Sequence, residues 1–360
     1  MKFVISVLVG FLVVTISSAV YVDRFDQIEA AKKSNDKVIV IRNLQVPAGV
    51  LLDLQNLKPG TTLQFEGRVT FGYKEWKGPM VRISGKNIIV EGKPGHLIDG
   101  EGARWWDGLG GAGGKTKPTF IELKLDDSIV RNLHVKNTPV QMFTSSFCNN
   151  LLITNVNLDN EDGKSKGRNT DGFAVGLSKN VTVQNSRVYN QDDCFCCGAG
   201  SDIKFINNVC IGGNGISIGS MGNNRVVERV EARHCQVIDS FNGIRIKTRK
   251  NDKALVKDVT FDDITLKDIQ QRGVIVHGNY PSWRPTDDPT DGCPIKNLVI
   301  NNVRGTVKAG GANTWIWLAN GVASGWKVSN VNVSGGKLKL PCKGLPAGID
   351  KNFQERCGQI

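Results

Sequence analysis

Three carboxylates crowd one stretch of this chain. Asp171 stands in Asn169-Thr170-Asp171-Gly172-Phe173, and Asp192 and Asp193 sit side by side in Asn190-Gln191-Asp192-Asp193-Cys194-Phe195. A basic pair, Arg245-Ile246-Lys247, follows, and between them runs Gly212-Gly213-Asn214-Gly215-Ile216-Ser217-Ile218-Gly219-Ser220. Carboxylates gathered at one site cannot all ionise cheaply. Mutual repulsion raises one pKa and leaves a proton donor beside a proton acceptor. Arg245 and Lys247 are two residues apart, so on a strand they share a face and can hold an anion together. Each piece alone is ordinary: an Asp-Asp pair is a common turn feature, and two basic residues commonly form a solvated face.

The elements that must position these residues are short and repetitive. After residue 120, apolar runs recur with Asn or Asp at their edges. Examples are Ile129–Val135, Asn150–Val156, Asn180–Asn185, Ile203–Asn208, Asp258–Ile264, Asn297–Val303 and Trp326–Val331. Their spacing, about 20 to 40 residues, falls in the range of solenoid repeats. Each run alternates with period 2 and closes in Asn, Asp or Gly, which reads as a short strand and a turn. Asn and Asp tolerate the left-handed conformation that sharp corners require. Few Asn-Gly or Asp-Gly pairs fall between the strands, which speaks against an antiparallel sandwich built from tight hairpins. The fold expected is all-β, a single-domain parallel β-helix with strands stacked coil on coil. Asp26 to Lys33 can form a short helix capping its N-terminal end.

In that fold the spacing has a consequence. About one coil separates Asp171 from the Asp192-Asp193 pair, another leads to Asn214, and another to Arg245 and Lys247. Successive coils lie one strand spacing apart, so all these positions can project from one face. Two carboxylates flanking a glycosidic bond can cleave it. One protonates the leaving oxygen and the other attacks the sugar or activates water.

The order Asn-Thr-Asp-Gly-Phe, Gln-Asp-Asp-Cys, Gly-Gly-x-Gly-Ile-Ser-Ile-Gly-Ser, Arg-Ile-Lys resembles the polygalacturonases of glycoside hydrolase family 28. The resemblance covers most of the chain after the leader, including the Cys194 to Cys210 spacing. It implies a right-handed, pectin-lyase-like parallel β-helix and inverting hydrolysis of α-1,4-linked galacturonate in pectin. Rhamnogalacturonan is the runner-up substrate, and the paired cations favour a galacturonate carboxylate. The resemblance makes Asp192 the general acid, with Asp171 and Asp193 holding and activating the water. Arg245 and Lys247 bind the substrate carboxylate beside the cleavage point. Asn169 and Tyr280 are further substrate contacts that it implies. A polygalacturonase-inhibiting protein is a second expected partner, and the chain is expected to act as a monomer without cofactor or metal.

Two departures stand out. The family has His where this chain has Asn214, and Asn cannot carry a positive charge or exchange a proton near neutral pH. Either a slowed enzyme or a pectin-binding or inhibitor-binding relative with impaired catalysis is compatible with that change. Phe195-Cys196-Cys197-Gly198-Ala199-Gly200 also replaces the family's usual Ala-Ile/Val-Asn-Ser-Gly.

The rest of the composition fits an exported protein. Lys2, an apolar run from about Phe3 to Ile16 and Ser17-Ser18-Ala19 read as a signal peptide over residues 1–19, leaving 20–360 as the mature domain. Nine cysteines suit an oxidising compartment. Cys194 with Cys210, and Cys342 with Cys357, are the preferred pairs, although spacing alone leaves connectivity open. Cys194, Cys196 and Cys197 lack the partners of a zinc site. A net charge of +12 suits a polyanion. No nucleic-acid-binding motif accompanies it, and no later segment is long and apolar enough to span a membrane. Asn180 and Asn332 head possible glycosylation motifs. The loops 104–117, 160–168 and 281–294, the last carrying Trp283, are insertions of the kind that wall a groove.

Overall fold

The computed structural model describes residues 18–349 together with Phe353 and Cys357. The apolar run of the expected leader lies outside the described residues. The expected cleavage point follows Ala19, the first residue of the strand Ala19–Val22.

Every described strand pairing is parallel, and each coil pairs with the coil before and after it. One inward row shows the stacking: Leu151 pairs with Val181, then Ile203, Val230, Val259 and Leu298. All six are buried. The structure is the parallel β-helix that the alternation predicts. Coil length varies, since stacked partners are 22 residues apart at Asn185 and Asn207 and 39 apart at Asp258 and Asn297.

The corners explain the Asn and Asp at strand edges. Asn132, Asn155, Asn185 and Asn207 all have positive φ, between 52° and 56°. Such a conformation strains most L-residues, and Asn and Asp adopt it more readily. Stacked corners also bond to one another: Asn155 Nδ2 donates to Asn132 Oδ1 and Asn207 Nδ2 to Asn185 Oδ1, both at 2.7 Å. A second ladder continues from Asn180 on Asn150 to Arg229 paired with Asp202. One residue type therefore supplies both the bend and a bond between coils.

The N-terminal cap is the helix Ile28–Lys33, shorter than the stretch expected because Phe25–Gln27 forms a 3-10 turn instead. Gln27 Oε1 accepts from the backbone N–H groups of Asp23 and Arg24 at 3.0 Å, satisfying donors at this end. Ile28 and Ala31 are buried beneath it. At the other end Cys342 and Cys357 form a disulfide, and Cys194 and Cys210 form the second, as expected.

The interior beneath the site is filled by a row of large apolar side chains in register. Phe143 pairs with Phe173, then Phe195, Ile216, Ile244 and Val274. Phe143 and Phe173 rings lie 5.7 Å apart. Burying each such ring contributes about 1.5–3 kcal/mol. This row fixes the height of the strands that carry the polar residues.

Candidate active site

The strands Phe173–Gly176, Phe195–Cys197, Ile216–Met221 and Asn242–Arg249 lie side by side. Asp171, the Asp192-Asp193 pair and Asn214 occupy the turns that lead into the first three. The turns are tied across coils: Gly172 N–H donates to Asp193 O at 2.8 Å, and Asn214 N–H donates to Asp192 O at 2.6 Å. Gly213 permits this approach, because a Cβ there would lie 2.1 Å from Asp192 O. Asn190 is fully buried, and its Nδ2 faces the carbonyls of Thr170, Asp192 and Asp193 at 2.9, 3.0 and 2.9 Å. It locks the aspartate turn to the coil before it.

Asp193 lies at the floor, 1% exposed, and is met by two cations. Lys247 Nζ donates to its Oδ2 at 2.7 Å, and Arg245 donates closely to its Oδ1. Ser217 links the group: its hydroxyl donates to Asp193 Oδ1 at 2.8 Å and accepts from Arg245 Nε at 2.9 Å. Burial alone would push the Asp193 carboxyl up, but Arg245 and Lys247 outweigh it and hold the pKa below the usual carboxylate value. Burial likewise works against the Lys247 ammonium, and Asp193 outweighs it.

Asp171 and Asp192 have no cation in contact among the described residues. Burial, and then the neighbouring carboxylates, push Asp171 well above the usual range. Burial and then Asp193 push Asp192 up as well. Three carboxylates face two cations here, so one proton on either Asp171 or Asp192 makes the cluster neutral.

Asp192 is surrounded by donors. Asn169 Nδ2 reaches Oδ2 at 2.9 Å, Asn214 Nδ2 reaches Oδ1 at 3.0 Å, and the Asp193 N–H reaches Oδ1 at 2.8 Å. The Asn169 amide is oriented by the Gly111 N–H, which donates to its Oδ1 at 3.0 Å. The Asn214 amide has no second described side-chain bond and can turn its oxygen to accept a proton from Asp192. Tyr280 stands at the edge, with Lys247 Nζ 5.4 Å from its ring centroid.

The structure thus brings together Asp171, Asp192, Asp193, Asn214, Asn169, Arg245 and Lys247, with Tyr280 beside them and the Cys194–Cys210 disulfide behind. Sequence reasoning assigned no role to Ser217 or Asn190. Both lie inside the motifs quoted, and Ser217 sits on the strand face opposite the buried Ile216 and Ile218, which is the available signal. Cys196, from the second departure, lies on this face too, with Sγ 3.7 Å from Asp171 Oδ2. Donor atoms of Asp171, Asp193 and Cys196 fall within 4.8 Å of one another, as metal ligands can. Two cations already hold Asp193, and burial keeps the Cys196 thiol protonated, so this trio is a poor cation site.

The family model of the glycosyl hydrolases family 28 matches residues 37–352. The chain belongs to that family. It is 46% identical to endopolygalacturonase B of Aspergillus niger over 90% of this chain and 91% of that one. It is 44% identical to a polygalacturonase of Penicillium griseoroseum, covering 89% and 86%. Among solved structures, endopolygalacturonase I of Stereum purpureum, complexed with two galacturonates, superposes with a TM-score of 0.84 at 32% identity. That match covers 92% of this chain and 98% of that one. The endo-xylogalacturonan hydrolase of Aspergillus tubingensis shares the fold, with a TM-score of 0.77 at 20% identity. Family membership and geometry together make the carboxylate cluster the candidate active site.

Proposed function

We propose that the protein is a secreted, endo-acting polygalacturonase that hydrolyses α-1,4-galacturonosidic bonds in pectin with inversion. The observation that carries this reading is the division of labour among the carboxylates. One, Asp193, is held ionised by two cations, and the other two, without a cation in contact, bind protons more tightly beside it. Asp192 gives its proton to the glycosidic oxygen as the bond to the anomeric carbon breaks. Asp171 and Asp193 hold a water on the opposite face and take up its proton as the hydroxyl joins that carbon. Arg245, Lys247 and Tyr280 receive the substrate carboxylate next to the cleavage point. None of these steps requires a cofactor or metal.

Asn214 sets the rate. It can bond to Asp192 in either protonation state, yet it cannot relay a proton or place a positive charge beside it. Turnover is therefore reduced, on the order of 10²–10⁴-fold when an acid/base helper is lost. The same residue favours a second reading, a pectin-binding or inhibitor-binding protein with impaired catalysis. Secretion rests on the apolar leader, the two disulfides and the positive charge. Among the described residues no helix is long and apolar enough to cross a membrane. The chain is taken to act as a monomer.

The test is release of reducing ends from polygalacturonate by the purified protein beside an Asn214→His variant. The expected result is measurable release, a mixture of oligomers at early times, and faster turnover by the variant. Binding without turnover would leave the second reading, and monomer as the first product would overturn endo action.

A further inference from the structure

One cation in the cleft lacks a carboxylate. Arg272 heads the strand Arg272–Tyr280 and pairs in register with Asn242. Asn242 precedes Ile244 as Asn214 precedes Ile216, and Ile216 pairs with Ile244. Arg272 therefore belongs to the row of Asp193 and Asn214, two coils beyond Asn214. Among the described residues no acidic group lies within ion-pair distance of it. Its Nη1 donates to Gln271 Oε1 at 3.2 Å and its Nη2 to the Trp283 carbonyl at 3.4 Å, while Nε is buried without a partner. Burial and then Arg245 lower its pKa from the usual arginine value, so an added anion would relieve both.

The surroundings hold Arg272 in place. Its guanidinium carbon lies 4.9 Å from the centroid of the buried Trp315 ring and 5.7 Å from that of Trp283. Trp283 also faces Arg245, whose guanidinium carbon is 5.3 Å from the ring centroid. One partly exposed indole therefore faces both the cation at the cleavage point and Arg272. The loop carrying Trp283 is pinned rather than loose. Asn279 Nδ2 donates to the carbonyls of Arg284 and Asp287 at 2.9 Å, and Trp317 Nε1 donates to the Asp287 carbonyl at 2.9 Å. Lys250 pairs with the Asp287 carboxylate at 2.5 Å.

We propose that Arg272 and Trp283 form a further uronate-binding position, beyond Arg245 and Lys247, which binds the carboxylate and ring face of the neighbouring sugar. The inference rests on the polygalacturonan-binding reading above. A planar guanidinium matches a carboxylate bidentately, and an indole offers a rigid face to a sugar ring. Arg245 and Lys247 divide their charge between Asp193 and the substrate carboxylate, whereas no described carboxylate lies within ion-pair distance of Arg272. The position selects unesterified sugar, since a methyl ester removes the charge that a guanidinium reads.

The test compares wild type with Arg272→Gln and Arg272→Lys on polygalacturonate and on highly methyl-esterified pectin. Oligogalacturonide binding is measured in parallel in an Asp192→Asn background, where turnover is removed. Arg272→Gln is expected to lower kcat/KM on polygalacturonate on the order of tenfold, mostly through KM, with little change on esterified pectin. Arg272→Lys should recover part of the loss, and binding in the Asp192→Asn background should weaken in parallel. Equal losses on both substrates would assign Arg272 to holding the loop, and no loss on polygalacturonate would remove the position. Absence of wild-type turnover with Arg272-dependent binding would instead overturn the hydrolase reading and leave the binding position standing.

Discussion

Lys247 Nζ stands 2.7 Å from Asp193 Oδ2, with both side chains almost sealed from solvent. Arg245 closes on the other oxygen of the same carboxylate. A buried ion cluster of this kind is costly to assemble and more costly to break, because removing one member strands the rest in a low dielectric. The pairing keeps a carboxylate charged at the floor of the cleft, and that charge raises the proton affinity of Asp171 and Asp192.

Replacing Asp193 by Asn should therefore harm the fold as well as the chemistry. Two buried cations would lose their counter-ion, with an expected loss of about 3–5 kcal/mol. Urea denaturation followed by far-UV circular dichroism reads this directly. Full stability in the Asn variant would mean that the cations find water or another acid, and the charge cluster would not be structural.

The corner ladder predicts a smaller effect at Asn207, with φ of 56° and a 2.7 Å bond to Asn185. An Ala there would lose both the tolerance of the left-handed conformation and the bond between coils, at a cost of about 1–2 kcal/mol. Asn207→Gly should recover the conformational part. Equal destabilisation by Ala and Gly would assign the whole effect to the side-chain bond.

These corners also show why the architecture was legible in the sequence. Period-2 alternation and edge Asn or Asp are local signals, and each coil repeats them. One-coil spacing then aligned Asp171, Asp193 and Asn214 without further information. The division of charge was not legible, because nothing local says that Arg245 and Lys247 converge on Asp193. Ser217 takes its meaning from that convergence. Arg272, Trp283 and Trp315 come from a strand, a folded-back loop and the next coil, so their meeting depends on a loop path that no periodicity encodes.

The five unpaired cysteines should resist alkylation in the native protein. Burial raises Cys148 to about 11 and Cys197, Cys235 and Cys293 to about 12, and burial, then Asp171 and Asp193, push the Cys196 thiol up as well. The thiolate is the reactive form, and little of it exists at pH 8. Mass spectrometry after iodoacetamide treatment should find no label under native conditions and five labels in denaturant without reductant. Rapid native labelling of Cys196 would show that the cleft stabilises its thiolate.

The proton on Asp171 or Asp192 makes a paired prediction about pH. Asp171 and Asp192 bind protons more tightly when folded than unfolded, so between the unfolded value of about 3.9 and their raised folded values, stability falls as pH rises. Asp193 works in the opposite sense: its stabilising contribution is present above about 3.9 and is lost as pH falls through its depressed value. Asp171→Asn removes one raised carboxylate and the repulsion it feels. The variant should be inactive yet more stable than wild type at pH 7. The advantage should shrink as pH falls towards and below about 3.9, because Asp171 then becomes protonated in the unfolded state as well. Thermal melts of the two proteins from pH 3.5 to 7.5 measure the difference. Wild-type turnover over the same range should fall on the alkaline side as that proton leaves. A variant less stable than wild type at pH 7 would show that Lys247 stabilises the Asp171 carboxylate more than burial and the neighbouring acids destabilise it.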